Sequence, residues 1–470
     1  MKKDIKYSEQ QKEIIKYSGD QLLIRGIAGS GKTLILLEKA RDVATKQPDE
    51  TVAVFSYGSA LTASAIRQLE TYNLPNLTVI TFHSWAMKNY YKTFKKKFYL
   101  ENFTRQKLLD AIEEVKQEYV NHRFVNNQDL ITFIEEEIGW IKGTELCEFK
   151  KYDKAPRKGR GGKVRLSADD RKVIYKIYET YQKKLDYRVD YHDFGLQMSR
   201  QLEKIQDVSK FDHVFIDEAQ DFTKVNLQVL CHIARKSCIV GADKGQKIFT
   251  TSFTWESVGL NIKGGRTKVL RNSYRSTKEI MELAYSIQEK DEISKDEEFT
   301  RPELPTKTGP KPKVYYTKGI EGQKKALLEA IELIQKEDPK ATIGILSRNK
   351  KHMNRVVTLL DGSKKKYQFI KSPFKNDDNP DLIGTHHDPG IKLTSFHTAK
   401  GLEFKYVLIT DLVDPPTEER LGEDFDWDIE RRLLYVAMSR AMQVLNLFTY
   451  GDRHVLLDEL GEAYYDKIII

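Results

Sequence analysis

The chain has 470 residues, 40% of them hydrophobic, and a net charge of +9 at neutral pH. A mean hydropathy of −0.56, with no apolar run near the ~20 residues that cross a bilayer, points away from a membrane protein. Three cysteines (Cys147, Cys231, Cys238) without CxxC spacing exclude a disulfide framework or a cysteine-rich metal site, so a reducing cytoplasm is the expected compartment. The positive charge tolerates a polyanionic partner without requiring one.

The charged N-terminus lacks the apolar segment of a secretion signal. Over residues 7–15 apolar side chains recur at helical spacing behind Ser8, a suitable N-cap. Gln11 in this helix is either a solvated glutamine or a reader of an adenine edge, since one amide both donates and accepts. An apolar run, Leu22-Leu23-Ile24, then leads into Gly26-Ile27-Ala28-Gly29-Ser30-Gly31-Lys32-Thr33, and a helical pattern follows. Strand, glycine loop and helix form the context of a phosphate-cradling loop. Main-chain amides of Gly26, Ala28, Gly29, Ser30 and Gly31 would turn inward, and the new helix points its positive end at the phosphates. Lys32 is placed to reach the β- and γ-phosphates and Thr33 to hold Mg²⁺. The expected ligand is a nucleoside triphosphate.

Residues 51–56 and 78–82 read as buried parallel strands whose tips carry Phe55-Ser56-Tyr57 and Phe82-His83-Ser84. Ligands gather at the carboxyl ends of such strands, although a core position suits both phenylalanines equally. Residues 88–190 change character. Lys88, Lys92, Lys95, Lys96 and Lys97 interleave with Tyr90, Tyr91, Phe94, Phe98 and Tyr99, and helical patterns follow. Residues 150–165 hold eight basic side chains against one acid and read as a mobile loop, either a solvated face or a contact to a phosphate backbone.

The sheet resumes at 212–216 and ends in Asp217-Glu218-Ala219-Gln220-Asp221. One carboxylate there orders a metal beside a phosphate loop, and the next orients and deprotonates an attacking water. A further strand runs into Ala242-Asp243-Lys244-Gly245-Gln246, with Phe249, Phe253 and Trp255 after it, and Arg271-Asn272-Ser273-Tyr274-Arg275 precedes another helix. A connector over 288–313 leads to strands at 343–347, 391–395, 406–410 and 444–448, a second parallel α/β unit without a phosphate loop. Its polar signals are residues 397–404, from His397 through Lys400 and Glu403, and residues 430–441, which include Arg440.

This ordered set resembles the superfamily 1 helicases of the UvrD/Rep type, from Tyr7 to about Phe448. Gln11 matches the family's glutamine motif, residues 26–33 its Walker A motif, and residues 217–221 its motif II. Phe55 and His83 fall in stretches like motifs Ia and Ib; Gln246 falls in motif III and Arg275 in motif IV, while His397 and Glu403 fall in motif V and Arg440 in motif VI. The resemblance implies an α/β fold of two RecA-like parallel-sheet P-loop domains with ATP and Mg²⁺ between them. Catalytic roles fall to Lys32, Glu218, Gln246, Arg275 and Arg440, and Thr33 and Asp217 hold the metal. Gln11 reads adenine and Glu403 approaches the ribose. Unpaired bases are expected on Phe55, His83, Phe249, Trp255 and His397.

The domains implied are an ATP-binding one at 1–87 and 191–265, a mostly helical insertion at 88–190, and a second RecA-like one at 266–470. Only 119 residues separate Arg275 from Thr394, too few for the accessory 2B insertion of the family. The stretch after motif III is also longer than usual. The activity implied is an ATP-dependent translocase or helicase on single-stranded DNA or a partial duplex, with 3′-to-5′ polarity. The alternative is an ATP-gated DNA-binding subunit controlling a protein partner such as a nuclease. Neither reading involves a membrane.

Overall fold

The computed structural model describes residues 7–156, 166–246, 253–296, 299–370, 385–413, 427–451 and 454–470. They build two sheets. The first contains β1 (Gln21–Gly26), β2 (Val52–Phe55), β3 (Leu77–Ile80), β4 (Phe211–Ile216), β5 (Ala234–Ala242) and β6 (Thr267–Leu270), in the spatial order β3-β2-β4-β5-β1-β6. All of β2 and the last four residues of β4 are buried, the continuous apolar pattern of strands covered on both faces. Parallel pairing sets Phe55 against Ile216, and the Asp217 amide donates to the Phe55 carbonyl at 2.9 Å. That register fixes where the acidic pair leaves the sheet.

The second sheet contains β7 (Lys313–Thr317), β8 (Thr342–Ser347), β9 (Tyr367–Phe369), β10 (Gly390–Ser395), β11 (Phe404–Ile409), β12 (Ala441–Tyr450) and β13 (Asp466–Ile469). Their order is β13-β7-β12-β11-β8-β10-β9, and every neighbouring pair is parallel. Between Ser276 and Thr394 the described residues supply strands and helices of this unit, and no separate subdomain stands there among them. Residues 371–384 lie outside the described residues.

The chain divides into two compact units. One comprises Met1–Ile24, Lys32–Ala242 and Phe249–Lys268; the other comprises Arg25–Gly31, Asp243–Ile248 and Val269–Ile470. Two short loops thus group with the second unit although the chain on either side of each belongs to the first. The boundary expected at 265/266 falls ahead of β6, which pairs in the first sheet.

Within the first unit, helices Thr104–Lys116, Ile131–Gly143 and Ala168–Leu185 enclose their own core, which includes Leu108, Ile134, Ile141, Val173 and Ile177. The last helix starts in a capping box between Ser167 and Asp170. Chain entry and exit are tied by a bridge between Leu100 and Val189. Wholly buried Lys142 donates to Asp190 at 2.7 Å and lies 2.9 Å from Asp193, while the Tyr181 hydroxyl also donates to Asp190 at 2.9 Å. The basic stretch expected as one loop begins instead as a helix, Phe149–Lys154. Buried Tyr152 anchors that turn through a 2.8 Å bond to Glu137. Residues 157–165 of the stretch lie outside the described residues. Among the described residues, no helix is long and apolar enough to cross a membrane.

Candidate active site

The phosphate loop follows β1. Gly29 and Gly31 adopt φ of +74° and +84°, a region that costs other residues ~1–2 kcal/mol. A Cβ on Gly29 would also stand 2.6 Å from the Ser273 Oγ and 2.7 Å from the Arg275 Cβ. The Tyr274 amide donates to the Gly29 carbonyl at 2.9 Å, so Gly29 is needed for both its dihedral and its closeness. Ser30 braces the turn from within, its hydroxyl donating to the Ile27 carbonyl at 2.9 Å. Ala28 packs into the apolar core of the second unit with Tyr435 and Leu434.

Helix Lys32–Lys46 begins where the glycines end, with buried Lys32 at its first position and Thr33 next. The Thr33 hydroxyl donates to Asp217 Oδ2 at 2.8 Å. Asp217 is buried, and its Oδ1 has no hydrogen-bond partner. Burial, with the Glu218 charge adding to it, pushes the Asp217 carboxyl up to about 7. An orphaned carboxylate oxygen beside a hydroxyl and a second carboxylate is an oxygen donor set that suits a divalent cation such as Mg²⁺. Glu218 sits at φ +52°, an uncommon dihedral for a non-glycine residue, and its carboxylate accepts from the Gln220 amide.

The second unit gathers another polar cluster. Gln246 donates to Asp243, and its Oε1 accepts from Arg440 Nη2 at 2.9 Å. Arg440 is 1% exposed despite its charge, and its guanidinium also donates to the Val436 carbonyl at 2.8 Å and the Ser439 hydroxyl at 2.8 Å. Lys400 donates to the Gln246 carbonyl at 2.6 Å. Arg275 donates to Glu403 at 2.8 Å, and that guanidinium offsets the burial of Glu403, whose carboxyl is held below its ordinary range.

Two expectations, those for Phe55 and Trp255, need correction. Phe55 is fully buried, edge-on to Trp85 at 6.3 Å and Phe211 at 6.1 Å, so it is a core residue and offers no face to a base. Trp255 is likewise core, edge-on to Phe253 at 5.1 Å. Phe249 lies outside the described residues. His83 is half-buried, with Nε2 3.2 Å from the Tyr191 carbonyl, and burial lowers its pKa, keeping the ring neutral. His397 is exposed just beyond β10. Gln11 is buried rather than solvated, and its Oε1 accepts from the Ser8 amide at 3.0 Å in a capping box.

Sequence reasoning assigned no role to Asp243, Lys400, Tyr435 or Gln288. Gln288 donates to the Gly245 carbonyl at 3.0 Å. A signal for it existed: on helix Lys278–Gln288 it continues the buried phase of Ile280, Ala284 and Ile287, where a polar residue needs a partner. Nothing comparable marks Tyr435, which sits among apolar neighbours on its helix.

Residues 7–252 match the pattern of the UvrD/REP helicase N-terminal domain, and residues 374–451 that of the UvrD-like helicase C-terminal domain. ATP-dependent DNA helicase PcrA of Bacillus subtilis (strain 168) is 24% identical over 305 residues, covering 59% of this chain and 38% of that protein. The Rickettsia conorii protein named "Probable DNA helicase II homolog" is 26% identical over 315 residues, 59% of this chain and 44% of its own. DNA helicase II of Escherichia coli (strain K12) is 39% identical over 77 residues, covering 16% and 10% of the two chains. The chain spans well under half the length of the curated relatives it matches. With the N-terminal pattern running through more than half of its residues, the chain belongs to the UvrD/REP helicase family.

Proposed function

We propose that this chain is an ATP-driven motor on single-stranded DNA, acting as a translocase or helicase with the 3′-to-5′ polarity that the family resemblance implies. The observation that carries the hydrolytic half is the Thr33–Asp217 pair, with a buried, unpartnered carboxylate oxygen beside Glu218. Amides of residues 26–31 cradle the phosphates of ATP, and Lys32 neutralises their charge. Thr33 and Asp217 would hold Mg²⁺, which when bound spreads charge off the phosphate oxygens. Glu218 orients the attacking water and accepts its proton.

Gln246 is held from both ends, by Asp243 and by Arg440, so a change at its amide is felt at the Arg440 guanidinium. Arg275 exchanges the Glu403 carboxylate for phosphate oxygens of ATP, leaving Glu403 to approach the ribose; Gln11 serves the adenine through its amide nitrogen. His83 and His397 contribute to the path of the DNA strand. The test is ATP turnover with and without single-stranded DNA. Strong stimulation is expected in the wild type. Lys32→Ala and Glu218→Gln should each abolish turnover, and Glu218→Gln should still bind ATP. Full turnover in either variant overturns the assignment. Stimulated turnover without strand displacement would favour an ATP-gated subunit serving a partner such as a nuclease.

A further inference from the structure

From the exposed aromatic side chains where the chain enters and leaves the helical insertion, we infer a stacking platform for unpaired bases, formed by Tyr99, Tyr187 and Phe103 beside a lysine run. The inference rests on the motor reading above and adds to it a second contact for the same strand. Tyr99, Tyr187 and Phe103 are 55%, 63% and 71% exposed, whereas Tyr90 from the same aromatic–lysine stretch is buried. The Tyr99 and Tyr187 rings meet edge to face at 5.4 Å, which leaves an open face on each. Their position is built by main-chain bonds. The Val189 amide donates to the Tyr99 carbonyl at 2.9 Å, and the Glu101 amide donates to the Val189 carbonyl at 2.9 Å. Asp186, just before Tyr187, ends helix Ala168–Leu185 at φ +54°, an uncommon dihedral for a non-glycine residue.

Charge decides between a nucleic acid and a protein as occupant. Lys95, Lys96 and Lys97 are all exposed, and no acid occurs between Lys88 and Leu100. The next acid, Glu101, is buried; it accepts from the Phe103 amide at 2.8 Å and lies 3.5 Å from Arg188. The Arg188 guanidinium in turn stands 6.0 Å from the Tyr187 ring centre. Open aromatic faces flanked by Lys95, Lys96, Lys97 and Arg188, which outweigh the one exposed carboxylate beside them, Asp186, match bases that stack while their phosphates pair. An apolar protein surface would not call for the lysines, and an acidic one would leave the open rings unused.

The test uses the full chain with labelled oligo-dT and with an oligonucleotide of equal length whose sugars carry no bases. Tyr99→Ala/Tyr187→Ala should weaken oligo-dT binding roughly tenfold or more, with the base-free oligonucleotide bound as in wild type. Basal ATP turnover and melting temperature should not change. Oligo-dT carrying 5-iododeoxyuridine should crosslink to Tyr99 or Tyr187 on irradiation. Unchanged oligo-dT affinity in the double variant, with DNA-stimulated turnover intact in the wild type, would overturn the platform and leave the motor reading standing. Equal losses for both oligonucleotides would likewise overturn stacking. A wild type that neither binds oligo-dT nor responds to it would remove the motor reading and the platform with it.

Discussion

At Asp217, burial and the adjacent Glu218 charge raise the carboxyl from 3.8 to about 7. An unfolded chain releases that proton near pH 4, whereas the folded one holds it to about 7, so this group costs stability progressively as pH rises through that interval. Without metal, Asp217→Asn should therefore raise the melting temperature at pH 8, by an amount that shrinks as pH falls from 7 to 4. Thermal scans across that range check the sign, and a flat difference would refute it. The same variant should lose Mg²⁺-dependent turnover, stability gained against function lost. Arg440→Lys keeps a charge but cannot serve Gln246, Val436 and Ser439 from one planar group. Turnover should fall by about 10²-fold or more while nucleotide affinity changes little, as fits a group acting on the transition state. Gly29→Ala meets both an unfavourable dihedral and the side chains of Ser273 and Arg275. Nucleotide binding by fluorescence titration should be lost in it.

Among the elements, the join between the helical insertion and helix Tyr191–Ser199 depends on a wholly buried lysine. Lys142→Met would leave Asp190 and Asp193 facing each other without their cation, and losing one partner of a buried ion pair costs ~3–5 kcal/mol. Urea unfolding should show that loss, and Lys142→Met/Asp193→Asn should recover part of it because one stranded charge is gone. An unshifted midpoint would refute this account. What sequence could show at this scale follows physical lines. The phosphate loop, its strand and its helix are local in sequence, so glycine dihedrals, capping and apolar runs locate them directly. Phe55 escapes such local reading, because a strand-tip aromatic is exposed or buried according to distant partners. For Phe55 those are Trp85 and Phe211, whose proximity no periodicity reveals. Arg440 was legible as a motif, and its acceptors Val436 and Ser439 are local, but Gln246 lies 194 residues away along the chain, and only the fold brings it to the guanidinium.

For the whole molecule, the division into two units is not a division into two lengths of chain, because the second unit includes Arg25–Gly31 and Asp243–Ile248. A fragment of residues 269–470 would lack Ala28 from its core and Gln246 from the Arg440 cluster. Poor chemical-shift dispersion and a broadened urea transition are expected for it; a sharp cooperative transition would contradict the grouping. The discontinuity also reaches into synthesis on the ribosome. At ~5–20 residues per second, roughly 20–80 s separate emergence of the loop at residues 25–31 from that of Arg440. For that interval the phosphate loop exists without the core that Ala28 joins. A nascent first unit would then display its glycine loop to chaperones and proteases long before it could hold a nucleotide, and slow stretches of translation beyond residue 269 would prolong that exposure.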